Sequence, residues 1–225
     1  MKKILMLCGV AAAIIYVGTV ILGGWLRPGY SHISMAISEL VADGAPNRSL
    51  LSSSFLVYNT LLSIFGLGLL LKANGSSRGR ITGMIGSLSL LLVGLAGILM
   101  ELAFLQEPGG TAATFTGIMH FVMAGIAALG TMVAILMLAF WFKNIRALKG
   151  YVLYSLLSVA LIFLSGGLGA AAMANHSPLF GLIERITIFT FTLWIFVLGR
   201  KMAQLEGEAD ESEQFELTHA ISKGS

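Results

Sequence analysis

The chain has 225 residues, of which 56% are hydrophobic and only 11% are charged, whereas soluble domains carry about 25% charged residues. Its mean hydropathy is +0.88, so the composition indicates a membrane protein. The 14 basic and 11 acidic residues leave a formal charge of +3, which is too small and too dispersed for a nucleic-acid-binding surface. The single cysteine, Cys8, excludes an internal disulfide.

Six apolar stretches are long enough to cross a hydrocarbon layer of about 30 Å, which takes about 20 helical residues. In chain order they cover residues 4–26, 50–72, 81–104, 117–142, 151–174 and 179–199. None shows the strict alternation of a barrel strand, and short segments rich in Gly, Pro or polar residues separate them. We therefore predict an all-α, six-helix transmembrane bundle that forms one domain over residues 1–200.

The basic residues predict the orientation of this bundle. If the N-terminus is cytoplasmic, only Arg27, Arg48 and Arg185 of the 14 basic residues fall on the outer side. Basic residues favour the cytoplasmic ends of membrane spans. We therefore expect a multi-pass protein of the cell membrane, plasma or inner, with both termini in the cytoplasm.

The segment after the sixth span, residues 201–225, is acidic and almost free of aromatic residues. Such a segment buries too little apolar surface to offset the conformational entropy lost on ordering. We expect a solvated, disordered cytoplasmic tail, with a short helix or a partner-binding segment as the alternatives.

Two features inside the spans predict how the helices pack. The fifth span contains the run "SGGLGAAAMA", and small residues allow helix backbones to approach closely in lipid, so we expect this helix at the centre of the bundle. Asn59, which follows Tyr58 in the second span, lies near mid-membrane. An asparagine at that depth is expected to hydrogen-bond across helices.

The first outer connection, residues 27–48, reads "RPGYSHISMAISELVADGAPNR" and concentrates polar groups in a chain that otherwise avoids charge. Within it Ile33, Ile37 and Leu40 are spaced to form one apolar face of a helix. We predict a short interfacial helix around residues 33–42, and we expect the connection to cap the bundle.

Apart from the tail and the cytoplasmic bases, the ionisable residues gather at the outer end of the predicted bundle. They are Arg27, His32, Glu39, Asp43, Arg48, Glu101, Glu107, His120, His176, Glu184 and Arg185. Arg185 precedes Arg200 by 15 residues, or about 22 Å of helix, which places it below the outer surface of the bilayer. A charge at that depth normally has a partner, and we expect a carboxylate of Glu39, Glu101 or Glu107 in that role.

Catalytic arrangements are also available among these residues. His32, His120, Glu39 and Glu107 are a candidate metal set gathered from separate segments, although no H-E-x-x-H or C-x-x-C spacing occurs. A second arrangement combines His120 and a carboxylate with Ser31, Ser34 or Ser38, although no G-x-S-x-G motif supports it. We therefore expect no bound metal or other cofactor, and we leave enzymatic activity open.

Several motifs resemble one known family. "LRPGYSH", "ISEL" and "GAPNR" follow the first span, "EPGG" and "GIMH" lead into the fourth, and "GLIERITIFTFTLWI" lies in the sixth. They resemble the six-helix bacterial and archaeal membrane proteins grouped as domain of unknown function 998 (DUF998), and the likeness extends to about Arg200. The matching positions are Arg27, Pro28, Gly29, Tyr30, Ile37, Ser38, Leu40, Pro108, Gly117, His120 and Arg185.

The chain departs from the family pattern at three positions. Glu107 and Phe121 stand where the pattern has aspartates, and Glu184 stands where it has glutamine. The missing acid beside His120 weakens a histidine–carboxylate catalytic pair. The resemblance implies the six-helix fold but no reaction.

Together the residues and the resemblance predict a polar cavity that opens toward the outer leaflet beneath the first connection. Its expected lining residues are Arg27, Tyr30, His32, Ser38, Glu39, Glu101, Glu107, His120 and Arg185. A cavity that binds a small polar or anionic molecule or a lipid headgroup is the first hypothesis, with Arg185 and Arg27 receiving the anionic group. There are two alternatives. One is a membrane-embedded hydrolase of lipids or phosphoesters, with metal assistance as an option. The other is a structural or regulatory protein without a ligand. Membrane lipid is the one partner we expect, and the sequence does not fix an oligomeric state.

Overall fold

The computed structural model describes the backbone of residues 2–224 and the side chains of residues 2–212, 214 and 215. Its six long helices are α1 (Lys2–Leu26), α2 (Arg48–Asn74), α3 (Arg80–Leu102), α4 (Phe115–Phe142), α5 (Gly150–Ala174) and α6 (Phe180–Gly224). All six are long and apolar enough to cross a membrane, α6 over Phe180–Ser212. The predicted all-α bundle with six membrane-spanning helices is therefore confirmed, and residues 2–224 contain no strand.

The helices form a closed ring in which each contacts the helices before and after it in the chain, and α6 contacts α1. Neighbouring helices run antiparallel, so the connections over 27–47, 103–114 and 175–179 share one end, here called the loop end. Glycines allow close approach in this ring. A Cβ on Gly66 would lie 2.7 Å from the backbone nitrogen of Leu91, and one on Gly199 would lie 3.0 Å from the carbonyl oxygen of Met6.

The fifth helix does not occupy the centre of the bundle, so that prediction is wrong. It is one member of the ring, between α4 and α6. A Cβ on Gly167 would meet nothing within 4 Å, and one on Gly166 would meet only Thr187 Cγ2, at 3.9 Å. The small residues of α5 therefore thin the wall of the ring around a central void and do not bring two helices together.

The last helix continues past the predicted membrane span. In place of a disordered tail over 201–225, α6 remains helical to Gly224, and Ser225 lies outside the described residues. Met202 and Ala203 are buried, and buried Glu206 forms an ion pair with Lys72 of α2. These contacts with the bundle bury residues at the start of the segment that its acidic composition predicted to be solvated.

The first connection folds inward over the loop end. It contains a 3₁₀ helix over Ser38–Val41, shorter than the helix predicted around 33–42. Leu40 and Ile37 are buried, whereas Ile33 is 54% exposed, so only part of the predicted apolar face faces the bundle. The backbone explains the difference, because the Ile37 N–H donates to the Glu184 carboxylate at 2.7 Å and the Ile33 carbonyl accepts from Leu182 N–H at 2.8 Å. These groups are bonded to α6 and are not available for an α-helix within the connection.

Candidate functional site

A cavity of about 700 Å³ lies inside the ring, lined by residues of all six helices and of the first connection. It extends from Glu39 at the loop end to Asn59, which lies 11 residues into α2, or about 16 Å along the helix. A second, shallower depression of about 380 Å³ beside Arg48 shares Glu101 with it. The cavity therefore reaches from the loop end toward mid-membrane depth.

The loop end of the cavity is lined by three carboxylates, Glu39, Glu101 and Glu184. Glu184 accepts a hydrogen bond from the Ile37 N–H, and Glu101 accepts one from the Ser52 hydroxyl at 2.5 Å. No Lys or Arg appears among the described residues that line the cavity. The ionisable side chains of the described lining therefore include these three carboxyl groups and the histidines His120 and His176, but no Lys or Arg.

His120, on the first turns of α4, lines the same region and is 9% exposed. Its Nδ1 lies 2.8 Å from the carbonyl oxygen of Phe104. A carbonyl only accepts hydrogen bonds, so Nδ1 carries the proton and Nε2 of the neutral ring remains an acceptor. His120 can therefore receive a hydrogen bond from a molecule in the cavity.

The deeper part of the cavity is lined by four side chains whose polar groups lack hydrogen bonds. Tyr16, Tyr58, Asn59 and Thr131 are each more than nine-tenths buried, and each lines the cavity. Within the described residues their side chains form no hydrogen bond. Buried polar groups are normally paired, so this part of the cavity holds unused hydrogen-bonding capacity.

Asn59 therefore does not make the predicted cross-helix hydrogen bond. Its side-chain amide lies against Gly97 of α3, where a Cβ would collide with it. Tyr16, Tyr58 and Thr131 were missed as site residues by sequence reasoning. The signal available for Tyr16 was its depth, because it precedes the end of α1 by 10 residues, about 15 Å, and so matches the depth of Asn59.

Arg185 does not line the cavity but fastens the first connection to α6. Its Nη1 donates to the carbonyl oxygens of Met35 at 2.9 Å and Gly181 at 2.8 Å, and its Nη2 donates to the Tyr30 hydroxyl at 2.5 Å. Within the described residues it forms no ion pair with Glu39, Glu101, Glu107 or any other acid. The expected carboxylate partner is therefore wrong, because carbonyl dipoles and a hydroxyl solvate this buried cation.

Tyr30 completes this attachment, which we call the loop anchor and define as Tyr30, Arg185 and the carbonyl groups of Met35 and Gly181. The Tyr30 hydroxyl donates to the carbonyl oxygen of Ala36 at 2.7 Å. Burial raises the pKa of Tyr30 to about 12, although Arg185 opposes the rise. The hydroxyl therefore stays protonated at neutral pH and serves as acceptor for Arg185 and donor to Ala36.

Arg27 and His32 also lie beside the loop anchor and not on the cavity. Arg27 donates to the carbonyl oxygen of Glu39, and its Nη2 is 4.0 Å from the Glu39 carboxylate. His32 contacts Gly24, where a Cβ would collide with the imidazole. Desolvation, followed by the nearby Arg185, lowers the pKa of His32.

Glu107 lies apart, in the connection between α3 and α4. Its carboxylate accepts hydrogen bonds from the N–H groups of Ala113 and Thr114, both at 2.8 Å, and from the Thr111 and Thr114 hydroxyls. These donors, with the Thr114 hydroxyl the largest influence, lower the pKa of Glu107 to about 2. Glu107 therefore organises the turn that begins α4.

The structure thus divides the predicted site residues into two groups. Ser38, Glu39, Glu101 and His120 line the cavity. The residues that do not line it are Arg27, Tyr30, His32, Glu107 and Arg185. The predicted metal set is not assembled, since the described residues include no group of three or more His, Cys, Asp or Glu side chains placed to hold a metal ion.

Comparison with known proteins identifies one family. A family model described as protein of unknown function (DUF998) matches residues 10–201, a range that begins within α1 and ends within α6. No curated protein matches the chain, and no solved structure matches it.

Proposed function

Because the chain belongs to the DUF998 family, whose function is unknown, we propose a function from the geometry of the central cavity. The protein binds a small polar molecule or the polar headgroup of a membrane lipid inside the ring of helices. The loop end faces the outside of the cell membrane, and both chain termini face the cytoplasm.

The unpaired polar groups of the deep cavity carry this proposal. Leaving a buried donor or acceptor without a partner costs about 1–3 kcal/mol, and Tyr16, Tyr58, Asn59 and Thr131 present such groups to one void. A bound molecule with hydrogen-bonding groups would remove that cost. The cavity volume of about 700 Å³ also falls within the range of about 300–1,000 Å³ found for small-molecule sites.

Two further observations support the orientation and the route of access. The basic residues of the α2–α3 and α4–α5 connections lie opposite the loop end, where the positive-inside rule places the cytoplasm. Small residues of α4 and α5, including Ala127 and Gly166, line the cavity. A thin wall at this place supports entry of an amphiphilic molecule from the bilayer.

Native mass spectrometry of the protein released from membranes tests the proposal with two matched variants. Gly166→Leu fills the cavity, because Gly166 lines it and a Cβ there has no neighbour nearer than 3.9 Å. Gly167→Leu is the control, since Gly167 is the next residue of α5, does not line the cavity and meets nothing within 4 Å. Both changes raise helix propensity equally.

We expect the wild-type protein and Gly167→Leu to carry a bound molecule of defined mass, and Gly166→Leu to lose it. Equal adducts on all three proteins would place the molecule outside the cavity and contradict the proposal. Wild-type protein without any adduct would contradict it as well.

A further inference from the structure

In the described part of the chain, carboxyl groups line the cavity, whereas lysine and arginine do not. Glu39, Glu101 and Glu184 line its loop end, whereas the described lining residues include no Lys or Arg. The guanidinium of Arg185, which the sequence assigned to an anionic ligand, is turned to the loop anchor, where it donates to Met35, Gly181 and Tyr30. No described lysine or arginine is therefore available there to an anionic ligand, and the other ionisable groups of this end are the histidines His120 and His176.

The carboxylates retain capacity to bind a donor. The structure gives Glu184 one hydrogen bond, from Ile37, and gives Glu101 one, from Ser52. A carboxylate has about four acceptor positions on its two oxygens. Each of these two carboxylates can therefore accept further hydrogen bonds from a ligand.

Below the carboxylates the wall is aromatic. Tyr16 lies with its ring centroid 5.3 Å from that of Phe55 and 4.7 Å from that of Tyr58, and all three residues line the cavity. Aromatic faces accept an apolar body, and they also attract a cation placed over the ring. Independently of the carboxylates, the unpaired Asn59 and Tyr58 side chains, 8% and 6% exposed, lie in this deeper part.

We infer that the ligand is an organic cation. Its ammonium group hydrogen-bonds to carboxylates at the loop end, Glu101 or Glu184 among them, and its apolar body lies against the aromatic wall. A free amine and an amine-bearing lipid headgroup share this chemistry. The inference rests on the proposed function, and it specifies the charge of the molecule that the cavity takes.

Three probes of nearly equal size separate charge from shape. They are 2-phenylethylamine, which is cationic at pH 7, 2-phenylethanol, which is neutral, and 3-phenylpropionate, which is anionic. Calorimetric titration in uncharged maltoside micelles measures their binding to the full chain. We expect the amine to bind about tenfold tighter than the alcohol or better, because a close charge pair in a partly desolvated site contributes at least that factor, and we expect no binding of the anion.

The double variant Glu101→Gln/Glu184→Gln tests the carboxylates themselves. Each glutamine keeps an acceptor oxygen for Ser52 or Ile37, so the local hydrogen bonds are retained. Amine affinity should fall about tenfold to the level of the alcohol, since the paired charge is lost, while alcohol affinity stays unchanged and reports an intact cavity. Asp43→Asn is the matched control, because Asp43 is 73% exposed in its side chain, pairs with Arg48 and does not line the cavity.

Several outcomes would overturn the inference. Equal affinities for amine and alcohol, preference for the anion, or unchanged amine binding in the double variant would each do so while leaving the proposed function to stand on the mass adducts. Failure of all three probes to bind would also overturn it. If the amine displaces the native adduct, the mass of that adduct distinguishes a lipid headgroup from a free amine.

Discussion

The loop anchor and the deep cavity are two buried polar regions that differ in how their groups are satisfied. Arg185 forms three hydrogen bonds through Nη1 and Nη2, although its buried Nε has no partner among the described residues. The Tyr30 hydroxyl both accepts and donates. Asn59 and Thr131, as deeply buried, form no side-chain hydrogen bond within the described residues. A buried polar group that is hydrogen-bonded contributes to the fold, whereas one left unpaired costs free energy unless a ligand or water occupies the site.

This difference changes which residues are expected to bind a ligand, compared with what charge alone suggests. Arg185 is the most conspicuous residue of the spans because a charge inside a bilayer is costly, and it holds the first connection on α6. Asn59 and the two tyrosines of the cavity are ordinary residues by type, yet they are the ones left available to a ligand. In this bundle the guanidinium of Arg185 belongs to the structural attachment, whereas the unpaired side chains of Asn59, Tyr16 and Tyr58 lie at the site.

Removing Arg185 should have the largest effect on stability. In Arg185→Met the Tyr30 hydroxyl and the carbonyl of Met35 lose their buried donor, so we expect unfolding to become easier by about 3 kcal/mol. Thermal unfolding in detergent measures the change. Arg27→Met is the control, because Arg27 is 23% exposed in its side chain and should cost about 1 kcal/mol.

The intermediate variant Arg185→Lys keeps the charge but not the planar fork that reaches three acceptors. We expect its stability to fall between the wild-type protein and Arg185→Met, which also provides a measurable step if the methionine variant does not fold. A lysine variant as stable as the wild-type protein would show that charge alone holds the loop and would remove the distinction between the two regions.

Comparison of sequence and structure shows which features were predictable. The six spans followed from length and hydropathy, because each apolar stretch must cross the same layer. The partners of Arg185 did not follow, since they are backbone carbonyls of Met35 and Gly181, and any residue type supplies a carbonyl. The packing of Met202, Ala203 and Glu206 on the bundle did not follow from the composition, because contacts such as the Lys72–Glu206 pair join positions far apart in the chain.

The cavity itself was predicted only in part, for a related reason. Glu39, Glu101 and His120 were identified because ionisable residues are rare in this chain. The void behind them depends on the position of α5 in the ring. The small residues of α5 are compatible with close helix packing and equally with open space. Composition cannot separate these two outcomes, whereas the neighbours of Gly166 and Gly167 do.

Replacing Asn59 should have the opposite sign to replacing Arg185. Leucine branches at the same carbon as asparagine, so Asn59→Leu keeps the approximate shape while removing an unpaired buried amide. We expect stability to be unchanged or to rise by about 1 kcal/mol, and the bound mass adduct to weaken. A loss of stability comparable to that of Arg185→Met would mean that the amide is paired in the folded protein, and the contrast between the two regions would fail.

The smallest expected effect concerns Glu107. Its carboxylate is hydrogen-bonded within the protein, as Arg185 is, but it lies outside the membrane spans. Its pKa is lowered to about 2 by the Thr114 hydroxyl, the Ala113 N–H and the Thr111 hydroxyl, below a value of about 4.3 for an unfolded glutamate. A depressed pKa favours the folded connection above about pH 4.3, and this contribution is lost as the pH falls toward 2. Hydrogen exchange at the Ala113 and Thr114 amides should therefore be slow at pH 6, after correction for intrinsic rates, and should lose protection at pH 2. Glu107→Gln should show the weaker protection at both pH values, and a wild-type pattern in that variant would mean that the charge of Glu107 does not hold this turn.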